Sequence, residues 1–150
     1  MGIEIKFIKA SLVYFTISVL LGAAYTVKPV HDFVMNSAFF AGAHSHIALL
    51  GWVTFALMGI LYHAVPKIVE NPIKNEKSVN IQFWLMNIGV ASMFILLMIG
   101  GDIEARLVQA GQMNLIQASL GLIMPFIMLS GIITFIASIM FVINIFKVMK

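Results

Sequence analysis

Cysteine does not occur in the 150 residues. Its absence excludes disulfides, thiolate metal sites and the Cys-x-x-Cys-His attachment of c-type haem. Charge is almost as scarce. Only 10% of residues are Asp, Glu, Lys or Arg, against about 25% in soluble domains. The deficit leaves no polar surface large enough for a soluble fold of this length. Proline is confined to Pro29, Pro66, Pro72 and Pro125, so most of the chain is free to continue as helix. Basic residues are too dispersed for a nucleic-acid surface, and none is expected.

What remains is hydrophobic, 61% of the chain. It falls into four apolar runs, 7–27, 39–63, 82–100 and 116–146, each near or above the ~20 residues that cross a bilayer as a helix. The expected fold is an all-α, multi-pass membrane protein, a single four-helix transmembrane domain over 1–150. Cleavage of the first run as a signal peptide is the competing reading, but the run exceeds the usual apolar core of such signals.

Seven of the nine basic residues, Lys6, Lys9, Lys67, Lys74, Lys77, Lys147 and Lys150, flank the ends or the middle loop. Only Lys28 and Arg106 lie in the other two loops. The positive-inside rule then puts both termini and the middle loop in the cytoplasm of a cell with this cytoplasmic membrane. Helix 1 is expected to stop before Lys28-Pro29. Helix 3 carries Asn80, Gln82 and Asn87, which should hydrogen-bond across helix interfaces. A break is expected at Gly100-Gly101, and helix 4 should run for about 30 residues with a kink at Pro125.

The four histidines are His31, His44, His46 and His63. "GAHSHIALLGW" places His44 and His46 in the second run. On an α-helix they point about 200° apart with ~3 Å of rise between them. They should therefore face different partners at one membrane depth. Ionisable groups within the bilayer are functional candidates by default. His63 lies ~28 Å further along the axis and reads as an interfacial residue beside Tyr62. Neutral imidazole is a good axial ligand for haem iron, and haem is apolar enough to sit between helices. Gly42, Ala43, Ser45 and Ala48 leave room for a macrocycle. Interhelical hydrogen bonding is the structural alternative, and proton or divalent-metal passage the functional one.

"AHSHIALLGWVTFALMGILYHAVPKI", Ala43 to Ile68, resembles the tenth transmembrane helix of subunit I of the haem-copper oxidase superfamily, which includes nitric oxide reductases. The family's His-x-His pair, Met-Gly, His and Pro match His44 and His46, Met58-Gly59, His63 and Pro66. The resemblance implies that His44 and His46 ligate different haems. His44 also matches the other low-spin haem ligand on the family's second helix. Subunit I has at least twelve helices in three pseudo-equivalent four-helix arcs; this chain looks like one arc.

The family's copper-ligating histidines have no counterpart here. His31-Asp32 sits further upstream than the family's His-Asp pair. A homotrimer would rebuild the ring, with haem b held between His44 of one protomer and His46 of the next. Such a haem has no open coordination position, which implies electron transfer or haem and redox buffering, with a quinone or other redox partner. A small nitric oxide, oxygen or peroxide reductase and an accessory oxidase subunit are the further readings. Lys28 and Arg106 would bind haem propionates, or serve only as loop charges. Trp52, with Phe39 and Phe40, would line the pocket or merely pack.

Overall fold

The computed structural model describes residues 2–150, which form helices joined by short turns. Four stretches are long and apolar enough to cross a membrane: Ile3–Tyr25, Ala38–Ile68, Glu76–Gln109 and Met124–Val148. An even number of spans puts both termini at one end of the bundle, called here the terminal end. The opposite end holds the other two connections.

Helix α1 (Ile3–Tyr25) ends as expected before Lys28-Pro29. Pro29 then starts the short α2 (Lys28–Val34), where its missing N–H costs nothing. The second span is not one regular helix. It opens as α3 (Ala38–His46), capped by the Ser37 side chain accepting from the Phe39 N–H. It then passes through a π-helical segment, Ile47–Thr54, and finishes as α4 (Phe55–Ile68). The segment begins directly after His46, and π turns are frequent at functional sites. Within it the Thr54 hydroxyl donates to the carbonyl of Leu49, five residues back.

Two expectations fail in instructive ways. The third span, α5 (Glu76–Gln109), does not break at Gly100-Gly101. Both glycines are buried; a Cβ on Gly101 would crowd the Phe40 ring at 3.0 Å, while one on Gly100 would meet Phe39 at an ordinary 3.4 Å. Gly101 is there for close approach of α3, not for a turn. The fourth run is not one kinked helix. It divides into α6 (Met113–Gly121) and α7 (Met124–Val148), with the break at Leu122-Ile123 and Pro125 in the first turn of α7. Proline has started a helix here instead of bending one.

The second span lies against α1 along its π segment and α4, while α3 packs on α5, and α5 on α7. Phe7, Phe55 and Phe83 meet at the core with ring centroids 5.0 to 6.1 Å apart. The amides of α5 bond between helices, as expected. Lys6 donates to Asn80 at 2.9 Å, Tyr14 to Asn87 at 3.0 Å and Tyr62 to Gln82 at 3.3 Å. Asn144 donates to Tyr62 at 3.3 Å and accepts from Ser78 at 2.9 Å. Such bonds contribute modestly in membranes, because polar groups find other partners when the helices separate. Tyr62→Phe is expected to cost about 1 kcal/mol, read as a shifted denaturation midpoint in detergent.

Candidate functional site

Both intramembrane histidines lie on α3, within one turn of the π segment, and they face different ways. The His44 ring lies over Gly22 of α1. A Cβ at Gly22 would stand 2.9 Å from Cε1 and 3.7 Å from Nε2 of His44. Tyr25, one turn further along α1, stacks obliquely on the same ring at 6.0 Å and 44°. A side chain at position 22 would have to displace the imidazole from this place. His44 Nδ1 is buried without a hydrogen-bond partner, alone in this among the described side chains. A buried polar atom in this condition calls for an explanation, such as a redox role or an absent ligand.

His46 is set differently. Its Nδ1 lies 2.7 Å from the carbonyl oxygen of Gly42. A carbonyl only accepts, so Nδ1 carries the proton and Nε2 presents its lone pair. Metal-bound histidines have this arrangement, in which a second-shell acceptor fixes ring and tautomer. The ring lines an apolar groove of about 200 Å³ with Ser45, Leu49 and Leu50 on the outside of the bundle. Ser45 and Leu49 are exposed. An imidazole turned toward hydrocarbon is unfavourable unless something polar or metallic meets it.

The other sequence candidates are not gathered at this pair. The ring of Trp52 packs on Phe15 of α1 at 4.4 Å, and its carbonyl accepts from Ser11. Phe39 and Phe40 pack toward Gly100 and Gly101. Lys28 pairs with Asp32 at 2.9 Å and Arg106 with Asp102 at 2.8 Å, each one turn apart and exposed. The Arg106 guanidinium lies 5.9 Å from the Phe33 ring centre. Exposed pairs of this kind are weakly held and exchange partners readily.

His31 is exposed, with Nδ1 3.3 Å from the Tyr25 carbonyl. It shares a hollow of about 480 Å³ with Tyr25, Met35 and Phe40. His63 is exposed at the terminal end, its Nε2 2.8 Å from the Lys67 ammonium. Among the described residues no three His, Asp or Glu converge, so His44 and His46 do not belong to a chelating cluster within one chain.

Gly22 and Tyr25 are the site residues that sequence reasoning missed. Their signal was present. Phe7, Ser11, Tyr14, Ser18, Gly22 and Tyr25 recur every three or four residues, the stripe α1 turns to its neighbours. The outer end of this assembly is tied down by Ser37, whose hydroxyl donates to Glu104 of α5.

His44 thus turns toward α1 and His46 toward the outside of the bundle. Residues 4–136 match the family model for Cytochrome C and Quinol oxidase polypeptide I. The chain belongs to that family. It is also similar to the Cbb3-type cytochrome c oxidase subunit CcoN1 of Stutzerimonas stutzeri, 31% identical over 96 residues. That match takes in 61% of this chain but only 20% of the relative, so the chain spans about a fifth of that protein's length.

Proposed function

We propose that the protein binds haem b through His44 and His46 in the cytoplasmic membrane and serves electron transfer or redox buffering. The observation that carries this reading is the unequal preparation of the two imidazoles. His46 has Nδ1–H fixed on Gly42, leaving Nε2 for a ligand. His44 is held over Gly22 with its buried Nδ1 unpartnered. The residues fit haem on their own chemistry: two imidazole nitrogen donors, glycine where the ring of His44 passes, and an apolar groove beside His46.

One iron cannot take both ligands from the same chain, because they face different sides of α3. In our reading His46 of one protomer meets His44 of the next, three times around a homotrimer. When bound, the haem supplies a one-electron couple, and bis-histidine ligation leaves no position for oxygen or nitric oxide. The chain's own residues do the rest. Gly42 sets the proton on Nδ1 of His46, and Gly22 and Tyr25 fix the plane of His44. Lys28 and Arg106 can exchange their local carboxylates for haem propionates. The hollow between Tyr25 and His31, on the side of His44, is where a quinone or other redox partner would approach.

This reading is favoured over cation passage because buried Ile47, Phe55 and Met58 separate the histidines from the polar group at Tyr62 along the second span. The test is an optical spectrum of purified protein, oxidised and dithionite-reduced. Sharp reduced b-type bands, unchanged by carbon monoxide, are expected. Colourless protein from cells supplied with haem precursors would return the histidines to proton or cation passage. A carbon monoxide shift would reveal an open iron and a reductase.

A further inference from the structure

The terminal end of the bundle holds a second, unrelated feature. Two adjoining hollows, about 270 and 550 Å³, share Lys74, Lys147 and Val148 in their walls. Lys150 lines the larger one. All three lysines are exposed, and among the described residues none has a hydrogen-bond or ion-pair partner. The carboxylate among the lining residues is Glu70, on the larger hollow. Glu76 and Glu4 line a different hollow, with Lys6 and Lys77.

The fold brings these charges together. Glu70 adopts a left-handed φ of 53°, and the Asn71 N–H returns to the Pro66 carbonyl at 3.1 Å, ending α4. The Asn71 side chain then donates to the Val148 carbonyl at 2.7 Å, fastening the loop to the last turn of α7. Lys74 and Lys147 are thereby set on one groove. The same groove has an apolar wall: Ile73 is half-buried, and Val79 and Val148 are 1% and 5% exposed.

Three ammonium groups against the one side-chain carboxylate of Glu70 leave the groove net positive, and an anion relieves the remaining repulsion. A soluble anion would gain nothing from the apolar wall. An anion joined to hydrocarbon uses both, and the groove lies at the ends of the second and fourth spans, where headgroups are expected. We infer that this groove binds an anionic phospholipid, its phosphodiester between Lys74, Lys147 and Lys150 and an acyl chain along Ile73 and Val148.

Juxtamembrane basic side chains each strengthen binding to anionic lipid several-fold. Native mass spectrometry of the whole protein, titrated with phosphatidylglycerol or phosphatidylcholine, tests the assignment. Phosphatidylglycerol should be retained and phosphatidylcholine lost. Lys74→Gln, Lys147→Gln and Lys150→Gln should each weaken retention about 5-fold, and the triple variant about 100-fold. Lys6→Gln with Lys77→Gln, at the separate hollow, should change nothing. Equal retention of both lipids, or undiminished retention by the triple variant, overturns the inference. So does an equal loss in the control variant, which would mean general surface charge. Competition by millimolar inorganic phosphate would assign the groove to a soluble anion instead.

Discussion

Chains carrying His44→Ala and chains carrying His46→Ala, each devoid of haem when made alone, are expected to recover about a quarter of the wild-type haem when made together in equal amounts. The expectation follows from ligands supplied by different protomers. A site is complete when a chain that keeps His44 stands before a chain that keeps His46. With random mixing that happens at one junction in four. Two ligands contributed by the same chain would give no recovery at any ratio. Separate affinity tags on the variants allow the mixed trimers to be isolated, and in these one junction in three is complete, so their haem should be about a third of wild type. Absence of haem from a confirmed mixed assembly would refute the shared site. Normal spectra from either variant alone would remove that histidine from the ligand set. Size-exclusion of the wild type adds an independent reading, since haem that bridges protomers stabilises the assembly and haem-free chains should dissociate more readily.

The second span was legible in the sequence because its signal is chemical. Imidazole in oil is costly, so His44 and His46 stand out against any apolar background. Both lie on α3 before the π segment, where the regular α-helical period still applies. Beyond His46 the regular period no longer applies, and nothing in Ile47 to Thr54 announces the change. A depth or azimuth reckoned from His44 to Trp52 or His63 by α-helical geometry therefore cannot hold.

Gly100-Gly101 and Pro125 were misread for a related reason. Glycine and proline are punctuation when local preference decides, but here packing decides. Gly101 is required by the Phe40 ring, and Pro125 sits where the missing N–H is harmless. The amides of α5 were read correctly, since an unpaired amide in hydrocarbon leaves few alternatives. Gly22 was legible only as one member of the stripe that α1 turns to its neighbours, and the place of the His44 ring is what gives it a particular meaning.

Two glycine substitutions on the same helix seam should fail in different ways, and the difference isolates how His44 is held. In Gly51→Ala the new Cβ falls 2.8 Å from Cγ and 2.9 Å from Cβ of Tyr14. Those atoms are at the root of a side chain whose hydroxyl is fastened to Asn87 at 3.0 Å. They cannot move without the helix, so the cost should be about 1–3 kcal/mol of stability. The haem spectrum of the protein that remains folded should be unchanged.

In Gly22→Ala the clash is with Cε1 of His44 at 2.9 Å, the far end of a side chain that can turn. Stability of the haem-free protein should hold within about 0.5 kcal/mol. The imidazole should leave its plane, and haem affinity should fall tenfold or more, the usual effect of disturbing what orients a metal-bound histidine. Denaturation midpoints and haem titrations on both variants check the pair of outcomes. Wild-type haem affinity in Gly22→Ala would mean that α1 does not orient His44. The ligand assignment would then rest on His46 and its bond to Gly42.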